Sequence, residues 1–370
     1  MKRLFIILLA LTLTVALSGR SVAADVDFEE QLKKLAEENG KGYIGPFSTA
    51  FGTNMNSGLY HSAKPHAFLP IPGFDISIKF TVSQVSEEDL TYSFILPDAI
   101  PLPTEQFLLG YPELDTLWIN PNTIYTNTET PTAFGESEWE GFEPTGAEQA
   151  LLDALSNAGL NSMEIEILRQ TGMIDSLVGR VPNFPSPPGI GVDILPLIMP
   201  QVSVGLPLKS EVLLRYMPEF NAPDFGKISF TGVGLKHNLS QWIPVPMFPV
   251  DISAQFVWQQ IKIGELIEST HTAFNLQASK KLGLPFLSIT PYVGVGFESS
   301  SIDVSYEVEN PEGLPYLPKD GTPIEFSLKG KNKSRLTGGL RLGLTFLTIN
   351  ADYSSGEYDT YSAGIGLTLR

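Results

Sequence analysis

Leu336-Thr337-Gly338-Gly339-Leu340-Arg341-Leu342-Gly343-Leu344-Thr345-Phe346 is the stretch whose reading decides the fold. Leu336, Leu340, Leu342, Leu344 and Phe346 share one parity; Thr337, Gly339, Arg341, Gly343 and Thr345 share the other. A period of two makes a strand with one apolar and one polar face. The chain reverses near Leu347-Thr348, alternates again through Ile349, Ala351 and Tyr353, turns at Ser354-Ser355-Gly356 and ends on Tyr361, Ala363, Ile365, Leu367 and Leu369. Strands of this kind cover a soluble core, or they close into a barrel with lipid outside and polar side chains within.

The same alternation runs upstream. Phe74, Ile76, Ile78, Phe80 and Val82 oppose Asp75, Ser77, Lys79, Thr81 and Ser83, and similar patterns recur almost without a break from Met199 onward. Phe47, Thr49 and Phe51 read as a weaker first strand, which the last strand would meet at closure. The count comes to about twelve strands. Connections near Pro207, Trp242, Gly283 and Leu347 are short or tightened by proline, whereas those near Asn221, Glu268, Pro311 and Gly356 are polar. That parity fits an all-β, antiparallel up-and-down transmembrane barrel with both chain ends on the short-turn side.

The N-terminus points to export. Lys2-Arg3 precede an apolar run from Leu4 to Leu17, and Val22-Ala23-Ala24 offer a cleavage site, the pattern of a signal peptide over residues 1–24. No other run approaches the ~20 apolar residues of a membrane helix. The 370 residues carry a formal charge of -17, which excludes the basic footprint of a nucleic-acid binder, and the absence of cysteine excludes disulfides and thiol chemistry.

Residues 25–46 hold a short amphipathic helix through Asn39, stopped at Gly40 and able to plug a barrel mouth. Residues 47–97 hold the first strands and 199–370 the rest. Between them, 98–198 form a proline-rich insertion with two helices, Gly146–Gly159 and Ser162–Gly179.

A soluble sandwich predicts the same alternation, so the contents of each face decide. The polar face carries scattered charges, Asp75, Lys79, Glu211, Arg215, Asp251 and Arg341, which suit a lumen where charges pair. The apolar face gathers aromatics toward strand ends: Tyr216, Trp242, Trp258, Phe286, Phe346, Tyr353 and Tyr361. Such rings favour the membrane interface. The expected address is the bacterial outer membrane, with its lipid as one partner.

Gly42-Tyr43-Ile44-Gly45-Pro46, Asn56-Ser57-Gly58, Gly73-Phe74-Asp75, Met199-Pro200-Gln201-Val202-Ser203-Val204-Gly205-Leu206-Pro207 and Gly232-Val233-Gly234-Leu235-Lys236-His237 resemble an uncharacterised family of bacterial outer-membrane β-barrel proteins, a domain of unknown function. The resemblance implies a barrel and an outer-membrane address but no activity. More distantly, the N-terminal segment before a barrel is similar to outer-membrane transporters of fatty acids and hydrocarbons, a likeness of architecture alone.

Chemistry-bearing motifs are sparse. His61 and His66 share a loop without metal-ligand spacing and read as solvated. His237 and Ser240 have opposite strand parity, so they form no nucleophile–base pair. The acidic groups Glu129, Glu136, Glu138, Glu140, Glu143 and Glu307, Glu309, Glu312 lack the order of a calcium loop. No enzyme, metal or cofactor is expected. The expected role is passive passage or binding of a small solute, an apolar one included. The alternative is a surface protein that binds a partner through its insertion and loops, and a lipid-modifying enzyme ranks last.

Overall fold

A computed structural model describes residues 26–67, 72–96, 98–103, 116–179, 181, 186–222, 226–244, 249–264, 266–284, 286–307 and 321–369. The signal-peptide reading of 1–24 lies outside the described residues, as do Glu309 and Glu312.

The first element is helical for far longer than the sequence pattern predicts. Helix α1 (Val26–Met55) passes through Gly40, where a stop was expected, and through Pro46. The strand expected at Phe47–Met55 is therefore its last turns. Hydroxyls bond back along them: Thr53 Oγ1 donates to Thr49 O at 2.7 Å and Ser57 Oγ to Thr53 O at 2.7 Å, each one turn back. Phe47 and Phe51 stack with centroids 5.6 Å apart, as an i, i+4 helical pair should.

Strand β1 (Phe74–Gln84) follows. The insertion then holds β2 (Thr91–Ser93), β3 (Ile100–Pro103), β4 (Thr116–Ile119), α2 (Pro121–Ile124) and β5 (Glu129–Pro131). Three further helices, α3 (Ala147–Asn157), α4 (Ser162–Gln170) and α5 (Met173–Val178), complete it. The first of the two expected helices is α3. The second divides at Gly172, whose φ of 72° is left-handed. Asn161 and Glu164 close a capping box on α4.

The remaining strands are β6 (Ile194–Leu206), β7 (Ser210–Ala222), β8 (Gly226–Asn238), β9 (Asp251–Ile263), β10 (Ile267–Ser279), β11 (Leu282–Leu284), β12 (Leu287–Glu307), β13 (Pro323–Lys329), β14 (Ser334–Leu344), β15 (Leu347–Ser355) and β16 (Thr360–Leu369). All ladders are antiparallel. Of the twelve strands in the main sheet, β11 and β13 pair with β12 alone; the other ten close a ring in the order β1, β6, β7, β8, β9, β10, β12, β14, β15, β16. The expected count of about twelve thus becomes ten in the described ring. Closure also differs from expectation: β16 pairs with β1, with Ile78 opposite Ile365, and not with Phe47–Met55.

The chain divides into two compact units. One takes in residues up to Ile44 with Leu90–Val192 and Tyr306–Ile324; the other takes in Gly45–Asp89, Asp193–Ser305 and Glu325–Arg370. The first has its own apolar core, in which Leu151 and Leu155 of α3 meet Leu168, Ile174, Leu177, Phe94 and Leu117. The second is the barrel. Its strands alternate between outside and inside, as in β1, where Phe74, Ile76, Ile78 and Phe80 are exposed and Asp75, Ser77, Lys79, Thr81 and Ser83 are buried. Ile76, Phe80, Leu214, Leu235, Phe256, Phe274, Ile289, Val293, Leu340, Ile349 and Leu367 are all exposed, so an apolar belt runs round the exterior. Among the described residues no helix is long and apolar enough to cross a membrane.

Candidate functional site

The barrel interior is where polar side chains converge, and a segment of the same chain occupies it. Residues from Gly45 to Met55 of α1 and the irregular stretch Asn56–Ala67 form a plug inside the ring. Ser83 Oγ donates to Ala50 O at 3.1 Å near the end where β1 and β16 meet the 356–359 turn. His66 lies beside Thr368, at the opposite end, where the short turn 207–209 also lies. The plug therefore enters at one mouth and leaves at the other, and the closing alternation places its exit, not its entry, on the side of Leu369.

Cations of the wall grip the plug's backbone. Arg215, fully buried on β7, sends Nη1 to Met55 O at 2.8 Å and Nη2 to Ser57 O at 2.8 Å, while Nε holds Gln201 Oε1 at 3.0 Å. Gln259 Nε2 adds a 2.9 Å bond to Met55 O. Arg335 Nη2 donates to Thr53 O at 2.8 Å, and its Nη1 donates to Ser57 Oγ. Glu298 holds that guanidinium, with Oε2 2.6 Å from Nε. Thr53 and Met55 are in the last turn of α1, where free carbonyls and the negative end of the helix dipole favour cations.

A second clamp secures the exit. Glu211 Oε2 accepts from the backbone N–H of His66 at 3.0 Å and lies 2.6 Å from its Nδ1; Oε1 lies 2.6 Å from Lys236 Nζ. Lys236 reaches on to Ser62 O at 3.3 Å, and Ala63 N–H donates to Ser279 Oγ at 2.8 Å. A third group involves Lys79, whose Nζ donates to Asn350 Oδ1 at 2.9 Å and meets His61 Nδ1 at 3.2 Å. The other ring nitrogen of His61 lies 3.6 Å from Asp75 Oδ2.

Of the residues expected to line the lumen, Asp75, Lys79, Glu211, Arg215 and Arg341 are buried on inward-facing positions, and Asp251 is half-buried at the start of β9. Lys79 and Arg215 come together at Gly58, where an added Cβ would stand 3.7 Å from both Lys79 Cβ and Arg215 Nη2, and Lys79, Glu211 and Arg215 each make a plug contact. Tyr216, Trp242, Trp258, Phe286, Phe346, Tyr353 and Tyr361 are all exposed. Tyr353 and Tyr361 face each other across β15 and β16 with ring centroids 5.4 Å apart. Phe286 and Phe346 lie in the turns of the exit end. His61 and His66 overturn the reading of a solvated loop: both are buried, because the loop is the plug. Lys236, Glu298, Arg335 and Gln259 were not among the expected lumen residues, although strand parity alone places all four on the polar face.

His237 has a partner that the sequence reading did not consider. Ser210 Oγ lies 2.8 Å from His237 Nδ1, while Nε2 faces the N–H donors of Gln241 at 3.0 Å and Trp242 at 3.3 Å. The indole can only donate. Nε2 therefore accepts from the indole, and Nδ1 shares a hydrogen bond with the Ser210 hydroxyl. Among the described residues no group of three or more His, Asp or Glu could hold a metal ion.

A ring of ten strands with an apolar exterior and a plugged polar interior matches a family model over residues 1–369. The chain belongs to a family of unknown function, DUF6588. No curated protein matches it. Among solved structures it is similar to the N-terminal β-barrel domain of Pseudomonas aeruginosa OprF, at 12% identity over 43% of this chain and 96% of that one, with a TM-score of 0.21. It is also similar to the outer-membrane protein OmpT of Vibrio cholerae, at 7% identity over 47% and 56% of the two chains, with a TM-score of 0.20. A third likeness is to OccK8 (OprE) of Pseudomonas aeruginosa, at 8% identity over 82% and 99%, with a TM-score of 0.11. Scores this low say nothing about what the chain of this family does.

Proposed function

We propose that the chain is an outer-membrane barrel held shut by its own N-terminal segment, and that a small solute passes when the segment shifts. The clamps at Arg215 and Arg335 carry this reading. They hold the plug through hydrogen bonds from wall cations to backbone carbonyls at Thr53, Met55 and Ser57. Water can replace such bonds, while the small apolar contact of Leu59 and Tyr60 with Leu213, Val257, Ala273 and Tyr292 stays in place. The exposed apolar belt and the signal-peptide pattern support the outer-membrane address. Passage through a fixed open pore is not part of the reading, because the plug fills the lumen.

Solute entry into liposomes tests it. The full chain should admit little, and Arg215→Gln with Arg335→Gln should admit more while keeping boiling-dependent mobility in detergent. A folded double variant as tight as the parent would contradict the reading.

One observation favours a second reading, binding of a partner through the insertion. That unit has its own core, yet Met163 and Ile167, one turn apart on α4, are exposed, as is Trp118. Removing 90–192 would then abolish partner binding and leave the barrel intact.

A further inference from the structure

The plug does not meet the wall evenly. Toward β7, β9, β10 and β12, Leu59 and Tyr60 pack into an apolar cluster with Leu213, Val257, Ala273 and Tyr292. Tyr60 and Tyr292 meet edge to face at 6.0 Å, and Tyr292 is fixed by a 2.8 Å bond from its hydroxyl to Asp352. Arg215 adds its double grip on the same side. That side of the plug is anchored.

Toward β1 and β16 the plug is held through polar contacts: Ser83 Oγ to Ala50 O at 3.1 Å, Lys79 Nζ to His61 Nδ1 at 3.2 Å and Thr368 Oγ1 to His66 Nε2 at 3.1 Å. The inward residues of β1 are Asp75, Ser77, Lys79, Thr81 and Ser83, all buried. The hydroxyls of Ser77 and Thr81 lack a hydrogen-bond partner, and the Asp75 carboxylate accepts no hydrogen bond and has the His61 ring 3.6 Å from Oδ2. Closure therefore leaves polar atoms desolvated on three of the five inward positions of one strand. A buried polar atom without a partner is destabilising, and hydration or a hydroxylated ligand removes the penalty. Orphaned atoms on Gln255, Asn275, Gln277 and His271 also occur, but on β9 and β10, behind the anchored side. Across from β1, the inward face of β16 holds Ser362, Gly364, Gly366 and Thr368, which present hydroxyls and bare backbone.

We infer that the seam between the plug and the β1–β16 wall is the solute path, and that the solute is a small, uncharged, hydroxylated molecule of the sugar class. The inference rests on the gated-barrel reading above. Nothing on this wall face is apolar, so an apolar solute gains nothing there, contrary to the apolar option raised by the sequence. Asp75 and Lys79 carry opposite charges on the same face, which leaves donors and acceptors without a net field for an ion. Ser77, Thr81 and the hydroxyls of β16 have the spacing of a strand pair, so a polyol exchanges one set of hydrogen bonds for the next as it moves.

The chain has no cysteine, which makes site-directed labelling clean. Ser77→Cys, Thr81→Cys and Ala273→Cys are each placed in the full chain, alone and with Arg215→Gln plus Arg335→Gln, and reconstituted in liposomes. Arabinose, choline and gluconate uptake are read before and after a sulfonatoethyl methanethiosulfonate reagent. The inference predicts that arabinose enters faster than either ion, and that labelling at Ser77→Cys or Thr81→Cys abolishes most of its uptake while labelling at Ala273→Cys does not. Loss of uptake at Ala273→Cys alone would move the path to the anchored wall. Equal entry of choline or gluconate would overturn the solute class. Both of these results leave the gated-barrel reading standing. If no variant admits any solute, that reading fails and the path fails with it.

Discussion

Arg215 and Met55 are joined by a 2.8 Å bond from Nη1 to the carbonyl oxygen, so a wall side chain caps the helix that fills the barrel. Helix C-termini commonly recruit a lysine or arginine of their own last turn. Here α1 has no basic residue in its last turn, and the barrel supplies the charge instead. Plug and wall thereby complete each other.

Arg215→Gln removes four charge-assisted bonds to oxygen, to Gln201, Met55, Gln259 and Ser57, from a fully buried position. Each such bond contributes about 1.5–3 kcal/mol, and the shorter amide restores only part of it. The variant should lower the denaturation midpoint of the detergent-folded barrel and expose the plug to protease. Arg335→Gln should act in the same direction, and the two effects should be less than additive because both arginines hold Ser57.

Glu211 neutralises Lys236 and receives His66, so Glu211→Gln leaves a buried ammonium uncompensated, at a cost of roughly 3–5 kcal/mol. Removing the charge as well, in Glu211→Gln with Lys236→Met, should recover part of that loss. Urea or guanidinium unfolding of the two variants checks it. A double variant less stable than Glu211→Gln alone would show that Lys236 matters through Ser62 rather than through charge.

Two glycines of α1 should respond differently. A methyl group at Gly52 would overlap Ser300 Oγ and Cβ, so Gly52→Ala forces the helix off the wall of β12. Beyond its chain neighbours Gly45 has open space where a Cβ would stand, but it precedes Pro46, whose ring disfavours helical backbone at a residue that carries a Cβ, so alanine there gains little. Thermal unfolding should fall clearly for Gly52→Ala and shift little for Gly45→Ala.

The helix itself was hidden by an ambiguity of period. Phe47, Phe51 and Met55 recur every fourth residue, a spacing that satisfies both a strand's period of two and a helix's turn. Gly40, Gly42, Gly45 and Pro46 then weighed against a helix on local propensity. Packing against Ser300, Ser83 and Arg335 overrides that preference, and no local pattern carries those contacts. The strands were legible because a membrane barrel must alternate, and Leu340, Arg341 and Leu342 show it in three residues. What alternation cannot reveal is the contents of the lumen. Lys236 and Glu211 were readable as inward-facing, but their common partner His66 sits on an irregular stretch with no periodicity at all.

The unit that combines the start of α1 with the insertion makes an alkaline prediction. Burial pushes the Tyr43 and Tyr125 hydroxyls up to about 12, above the ordinary value near 10. A raised folded-state value means their contribution to stability is complete below pH ~10 and is lost as pH rises toward ~12. Tyrosinate absorbance should therefore show these two groups ionising late, together with loss of that unit's near-ultraviolet dichroism.

The central claim is that the plug must move for the barrel to conduct. Ala50→Cys with Ser83→Cys sets a thiol pair where Ser83 Oγ now donates to Ala50 O at 3.1 Å, in a chain with no other cysteine. Arabinose uptake into liposomes is measured for this variant in the Arg215→Gln, Arg335→Gln background, oxidised and then reduced. The account predicts uptake in the reduced form and its loss when the disulfide ties the plug to β1. Equal uptake in both forms would contradict it.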